Sequence, residues 1–125
     1  MGGMTTISQG ANKVLLNAVT TVSAGDAWHP LAKDKTFLIF HAAGAGDTVI
    51  VEGTNDQRVI TDSANALWVT LRDTGNMSAA ATLISSASGA GAVTEGFSNN
   101  EAWKWVRARK SVAGAGVAST VILGT

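Results

Sequence analysis

Short runs of β-branched and aromatic residues alternate along this chain with clusters of Gly, Ser, Asn and Asp. Several runs alternate apolar and polar positions with the period of two that a half-buried strand requires, and no segment keeps a helical period over three turns. The turn clusters recur about every ten residues, which is typical of sandwich folds. The pattern predicts an all-β fold, a β-sandwich with a jelly-roll-like arrangement of eight or nine short antiparallel strands.

Residues 36–42 form a continuously apolar run, TFLIFHA, which favours a central strand that is covered on both faces. A Gly-Ala-Gly-Asp loop at 44–47 separates this run from TVIVE at 48–52. The two runs are therefore predicted to form a hairpin. The remaining strands are predicted at 14–22, 58–61, 67–72, 82–86, 93–97, 103–112 and 117–123.

Length and composition fit one domain that spans residues 1–125, with residues 1–12 as a flexible N-terminal arm. The chain has no cysteine, which excludes disulfides and thiolate metal ligands and fits a protein that folds in a reducing cytosol. Its longest apolar stretches are only a few residues long, so the sequence predicts no transmembrane helix and no membrane partner.

Charge is scarce in this sequence. Charged residues make up 14% of the chain, whereas about 25% is usual for a globular domain. Nine basic and nine acidic residues balance, so the basic surface that nucleic-acid binding needs is absent from the composition. Two explanations stay open. Either partner proteins cover much of the surface, or Ala, Gly, Ser and Thr replace charged residues as neutral surface positions.

The candidate catalytic residues are few. The chain has two histidines, and no serine lies in a G-x-S-x-G motif. His41 lies within the apolar run and is interpreted as a hydrogen-bonded histidine at a strand end, while His29 beside Trp28 and Pro30 is interpreted as a surface contact. A zinc site needs three or four close ligands, which the spacing does not offer. The sequence therefore predicts no catalytic residue, no metal site and no cofactor.

Four aspartates lie in predicted turns, where they could gather around a calcium ion. None of them belongs to a D-x-[DN]-x-[DN]-G motif. Asx hydrogen bonding within the turns explains them without a metal, and this is the preferred interpretation. The four residues are Asp47, Asp56, Asp62 and Asp73.

The segment WKWVRARK at 103–110 carries the main candidate binding surface. Alternate residues of a strand share a face, so small Val106 and Ala108 are predicted to enter the core. The opposite face is then a row of large amphipathic side chains of the kind that protein interfaces favour. Two alternatives stay open: a tryptophan that closes the end of the core, and a platform that stacks sugars or bases. The predicted interface comprises Trp103, Trp105, Arg107, Arg109 and Trp28.

Three segments carry a resemblance to a known group of proteins. They are VEGTND at 51–56, the LWVTL strand at 67–71, and EGFSNNEAWKWVRAR at 95–109 followed by a glycine-rich turn and the strand at 117–124. With these segments the sequence resembles small virion structural proteins of tailed bacteriophages, particularly capsid decoration (cement) proteins of the β-sandwich type.

This resemblance implies a jelly-roll-like subunit without enzymatic activity. Such a subunit is made in the host cytoplasm, forms a homo-oligomer (dimer or trimer) and binds the major capsid protein at the capsid surface of the virion. The alternative function is a carbohydrate-binding β-sandwich module of a phage tail or fibre, in which Trp103, Trp105 or Trp68 stacks against a glycan.

Overall fold

A computed structural model describes residues 12–30, 32–43, 46–75, 79–80, 82–84, 92–114 and 117–125. These ranges hold one four-residue helix, α1 (Arg58–Thr61), and one 3₁₀ turn (Ser63–Asn65). No helix within them is long and apolar enough to cross a membrane. Their strands are β1 (Asn12–Val19), β2 (Ser23–Ala24), β3 (Lys35–His41), β4 (Thr48–Thr54), β5 (Val69–Thr70), β6 (Arg72–Asp73), β7 (Ala79–Ala80), β8 (Thr82–Ile84), β9 (Val93–Asn99), β10 (Trp105–Val112) and β11 (Ser119–Gly124).

Nine of these strands form two antiparallel sheets. Sheet A has the order β1-β11-β3-β9, and sheet B has the order β2-β10-β4-β5 with β8 also paired to β4. Strands β6 and β7 form a separate two-stranded ribbon. The predicted all-β sandwich is confirmed. The chain passes from one sheet to the other between β1, β2, β3 and β4 and again between β9, β10 and β11, which is the path that the jelly-roll-like prediction requires.

The core lies between the two sheets, because each sheet buries every second residue of its long strands. Strand β3 shows this alternation throughout, with Phe37 and Ile39 buried and Leu38 and Phe40 exposed. The buried apolar residues are Leu15, Leu16, Phe37, Ile39, Phe97, Val121 and Leu123 on the side of sheet A, Val49, Val51, Val106 and Ala108 on the side of sheet B, and Leu71.

The predicted strand at 58–61 is wrong, since these residues form helix α1. The β-branched pair Val59-Ile60 favours a strand, but local hydrogen bonds prevail over that preference. The carboxylate of Asp56 accepts the backbone N–H groups of Arg58 at 2.9 Å and Leu67 at 2.8 Å. The segment between them is thereby closed into a compact loop, and Ile60 stays 62% exposed.

The predicted hairpin of 36–42 with 48–52 is also wrong. Strand β3 pairs with β11 and β9 in sheet A, whereas β4 pairs with β10, β5 and β8 in sheet B. Both strands send alternate apolar side chains into one core from opposite sides, so the connection between them crosses from sheet to sheet. The predicted strand at 67–72 is divided into the two short strands β5 and β6. Leu71, between them, turns its side chain into the core.

Two further predictions concern coverage and the N-terminal arm. Within this chain β3 is covered on one face only, since Leu38 and Phe40 are 45% and 36% exposed on the other. The predicted arm at 1–12 lies outside the described residues except for Asn12, which begins β1.

Candidate interaction surfaces

Strand β10 divides its side chains between core and surface as the sequence predicts. Val106 and Ala108 are fully buried, whereas Trp105, Arg107 and Arg109 lie on the outer face of sheet B and are partly exposed. Trp103 departs from the prediction that it shares this outer row. It precedes β10 and packs against the core over Gly53, whose backbone is so close that a Cβ atom there would lie 2.9 Å from the indole.

The two arginines of the outer row are engaged within the chain. Glu52 on β4 lies directly opposite Arg107 and is buried. Its Oε1 accepts a hydrogen bond from Arg107 Nε at 2.9 Å and from Arg109 Nε at 3.2 Å. The Arg107 guanidinium also lies over the Trp68 ring, 4.2 Å from its centroid. The arginine pair therefore neutralises a buried carboxylate in addition to presenting a surface.

Trp28 lies at the side of the sandwich. Its backbone N–H and carbonyl exchange hydrogen bonds of 2.8 Å with Val106 of β10. The Nζ atom of Lys13, on β1 of the other sheet, lies 4.6 Å from the centroid of the Trp28 ring. Trp28 thus links the two sheets while remaining 37% exposed.

A buried polar network that the sequence pattern does not predict crosses the core at the end of β10. Lys110 has no solvent exposure, and its Nζ lies 2.7 Å from Oδ2 of the equally buried Asp47. The same ammonium donates to the Val19 carbonyl and to Ser119 Oγ, both at 3.0 Å, and to the Val117 carbonyl. The sequence does carry one sign of this network. In the alternation of β10, Lys110 falls on the same inward face as Val106 and Ala108.

His41 joins this network through a 2.8 Å hydrogen bond between its Nδ1 and Ser119 Oγ. The interpretation of His41 as a hydrogen-bonded strand-end histidine is confirmed. Asp47, His41 and Ser119 are all fully buried, so the Ser119 hydroxyl makes no contact with solvent in this structure. His29 is remote from them: its Nδ1 donates to the Lys104 carbonyl at 2.6 Å, and its ring meets Trp105 edge-on at 5.8 Å.

Asp47 pairs with Lys110 in the buried network, and the other three turn aspartates each hold their own turn. Asp56 binds Arg58 through two side-chain oxygens, Asp62 accepts from Asn65, and Asp73 Oδ1 accepts the N–H groups of Gly75 and Ser98. The hydrogen bonds from Arg58 and from the Leu67 backbone hold the pKa of Asp56 well below its ordinary value. Within the described ranges no three His, Asp or Glu residues are placed to hold a metal ion.

The outer face of sheet A is uncharged. Strand pairing aligns its outward side chains in three rows, two across all four strands and one across β11, β3 and β9, and no Asp, Glu, Lys or Arg belongs to these rows. Val14 and Leu38 are 47% and 45% exposed in the most apolar row. We call this surface the sheet A face. Its rows are Asn12, Gly124, Thr36 and Ser98; Val14, Ile122, Leu38 and Gly96; and Thr120, Phe40 and Thr94.

A groove of about 570 Å³ borders the polar row of the sheet A face. Its lining includes Asn12, Thr36 and Ser98 of that row, together with the charged residues Asp34 and Lys35. The sheet A face therefore combines an uncharged, partly apolar centre with a polar rim, which is the anatomy of a protein interface. The apolar run at 36–42 is the sequence signal for this surface, although its pattern predicts a strand that is buried on both faces.

A second groove, of about 510 Å³, lies on the outer face of sheet B. Trp68, Trp105 and Arg107 line it from the sheet, and the edge segment 25–27 and residues of the α1 region form its sides. Two of the predicted interface residues, Trp105 and Arg107, thus come together in one concave site. Arg109, Trp103 and Trp28 do not line it.

Comparison with known proteins informs the fold. No protein-family model matches the sequence, and no curated protein matches it. The structure is similar to the crystal structure of the SPBc2 prophage-derived protein YomS, with a TM-score of 0.61 and 10% sequence identity. The match covers 98% of this chain and 97% of that chain. At this identity the likeness shows a shared fold over nearly the full length of both chains.

Proposed function

We propose that this chain is a non-enzymatic structural protein of a phage virion that decorates or cements the capsid through protein–protein contacts. The observation that carries the proposal is the sheet A face, which has an apolar centre and no charged residue in its rows. Such a face fits a permanent neighbour better than open solvent. The prophage origin of the similarly folded YomS supports the phage assignment.

The size of the sheet A face indicates how it would be used. Seven residues of strand and four strands span about 24 Å by 19 Å, or about 450 Å² for each partner. The two partners together would bury about 900 Å², below the roughly 1,200 Å² of stable interfaces. One copy would therefore bind weakly, and several copies linked as a dimer or trimer would bind the major capsid protein tightly through multivalency.

Binding to capsid shells that lack this protein tests the proposal. The wild-type chain should sediment as a dimer or trimer and co-sediment with the shells. Leu38→Lys places a charge at the centre of the sheet A face and should abolish co-sedimentation, while the melting temperature stays unchanged because Leu38 points away from the core. Leu67→Lys, at a 69% exposed position outside that face, is the matched control and should bind like wild type.

A wild-type chain that is strictly monomeric and leaves the shells unbound would overturn the proposal. The same conclusion follows if Leu38→Lys binds the shells as well as Leu67→Lys does, because the sheet A face would then take no part in attachment.

A further inference from the structure

The groove on the outer face of sheet B has the features of a ligand site. Its sides differ in origin. One is the edge segment, in which Gly25 donates to the Ala108 carbonyl and Trp28 donates to the Val106 carbonyl. Two residues of the edge, Asp26 and Ala27, therefore lie opposite the single residue Arg107 of β10 and bulge out of the ladder. The other side is the loop that Asp56 closes.

Unused hydrogen-bonding capacity is concentrated in this groove. The indole Nε1 atoms of Trp68 and Trp105 are both buried and have no hydrogen-bond partner. Orphaned buried donors of this kind are rare in folded proteins. The two tryptophans, Trp68 immediately before β5 and Trp105 at the start of β10, line the same cavity. Because neither Nε1 atom is exposed, an occupant that carries acceptor oxygens would reach them only after the indole rings rotate.

The remaining lining defines the chemical class of that occupant. Asp26 supplies an exposed carboxylate and Ser63 a hydroxyl, while the two indoles and Ile60 supply apolar surface. Arg107 shares Glu52 with Arg109, and Asp26 adds a second carboxylate at the groove, so two basic and two acidic groups balance and an anion meets no excess of positive charge. Apolar rings combined with hydroxyl-binding groups and no net charge suit a sugar, which has a C–H face and a rim of hydroxyls.

We propose that this groove binds a neutral glycan, with Trp105 and Trp68 packing against the sugar and Asp26 accepting its hydroxyl groups. The volume of about 510 Å³ lies within the range of small-ligand sites, roughly 300–1,000 Å³. The groove and the sheet A face lie on opposite sides of the sandwich. A subunit attached through sheet A would therefore keep the groove open to solvent, but the glycan site itself does not depend on the capsid proposal.

A glycan microarray of neutral and acidic bacterial oligosaccharides, followed by titration of tryptophan fluorescence with the oligosaccharides that bind, tests this inference. We expect saturable binding of neutral oligosaccharides. Trp105→Phe and Asp26→Asn should each weaken binding about tenfold or more while the melting temperature stays close to that of wild type. Trp28→Phe changes a tryptophan outside the groove and should leave affinity unchanged.

Three results would overturn the inference: no binding to any oligosaccharide on the array, binding restricted to acidic glycans, or binding that Trp105→Phe and Asp26→Asn leave intact. Since the Leu38→Lys variant leaves the groove unaltered, it should retain glycan binding. Failure of glycan binding and failure of shell attachment are thereby distinguished in the same set of variants.

Discussion

Replacing Lys110 with methionine removes the charge through which β10 contacts the polar groups of sheet A. Methionine fills a similar volume, so the change deletes hydrogen bonds without opening a large cavity. The variant leaves the fully buried Asp47 carboxylate without the ammonium that lies 2.7 Å from it in the native protein. Ser119 Oγ and the Val19 carbonyl each lose a 3.0 Å hydrogen bond as well.

The expected loss of stability follows from these contacts. Breaking a buried ion pair by removing one partner costs about 3–5 kcal/mol. For a chain of 125 residues the entropy of unfolding near 60 °C is about 0.26 kcal/mol/K. The melting temperature of Lys110→Met should therefore fall by about 11–19 °C. That loss is a large part of the total stability of a domain of this size.

Urea and thermal unfolding followed by circular dichroism measure this difference. Lys104→Met is the matched control, because Lys104 is exposed and makes a single 3.4 Å side-chain hydrogen bond to Gln57; its melting temperature should change little. The double variant Asp47→Asn/Lys110→Met completes a cycle and should be more stable than the sum of the two single losses predicts. If Lys110→Met unfolds at the same temperature as Lys104→Met, the network does not hold the sheets together.

Two further outcomes follow from the strand–turn segment 51–56. Gly53→Ala should destabilise the fold by about 1–3 kcal/mol in urea unfolding, because the added Cβ would lie 2.6 Å from Leu71 Cδ2. Gly96→Ala is the control, because a Cβ there meets its nearest atom at 4.0 Å, and it should not show that loss of stability. The pKa of Asp56 is lowered in the folded state, so its stabilisation is present above about pH 4 and lost as acidification proceeds through the folded-state pKa. Asp56→Asn should flatten that acid dependence in unfolding curves from pH 2 to 6; an unchanged slope would contradict the role given to the Arg58 and Leu67 hydrogen bonds.

The alternation of apolar and polar residues was sufficient to predict the sandwich and the inner face of β10. Val106 and Ala108 enter the core because a strand has only two faces, and the large neighbours on the other face leave little choice. The same reasoning failed for Trp103, since the period of two applies only inside the strand and β10 begins at Trp105. The boundary of the strand, and not the pattern, determined where that side chain lies.

The role of the VEGTND segment could not be predicted, because each residue acts through a partner distant in sequence or through a local hydrogen bond. Glu52 binds the two arginines of β10, and Gly53 admits the Trp103 ring. Asn55 accepts the backbone N–H of Lys104 at 2.8 Å. Asp56 closes the loop that forms one side of the sheet B groove. The segment is thus a junction for β4, β10 and this loop, which a linear pattern does not reveal.

The exposed face of sheet A could not be predicted for a different reason. The apolar content of residues 36–42 was visible, but a run that is apolar on both sides indicates coverage without indicating by what. In the folded chain the core covers Phe37 and Ile39, while Leu38 and Phe40 remain open. The sequence has few charged residues, which either partner coverage or neutral surface residues would explain. In the folded chain the three rows of this face hold no charged side chain.

The lysine buried beside Asp47 also has a consequence for how the strands find their alignment. If β10 slid along β4 by two residues, small apolar side chains would still alternate inward, so hydrophobic contact alone discriminates poorly against that error. The slide would move the Lys110 ammonium group about 7 Å along β4 and separate it from the Asp47 carboxylate. Both ions would then be buried apart from each other, which is costly. A pair that adds little to stability compared with a well-packed apolar core can in this way exclude the wrong pairing during folding.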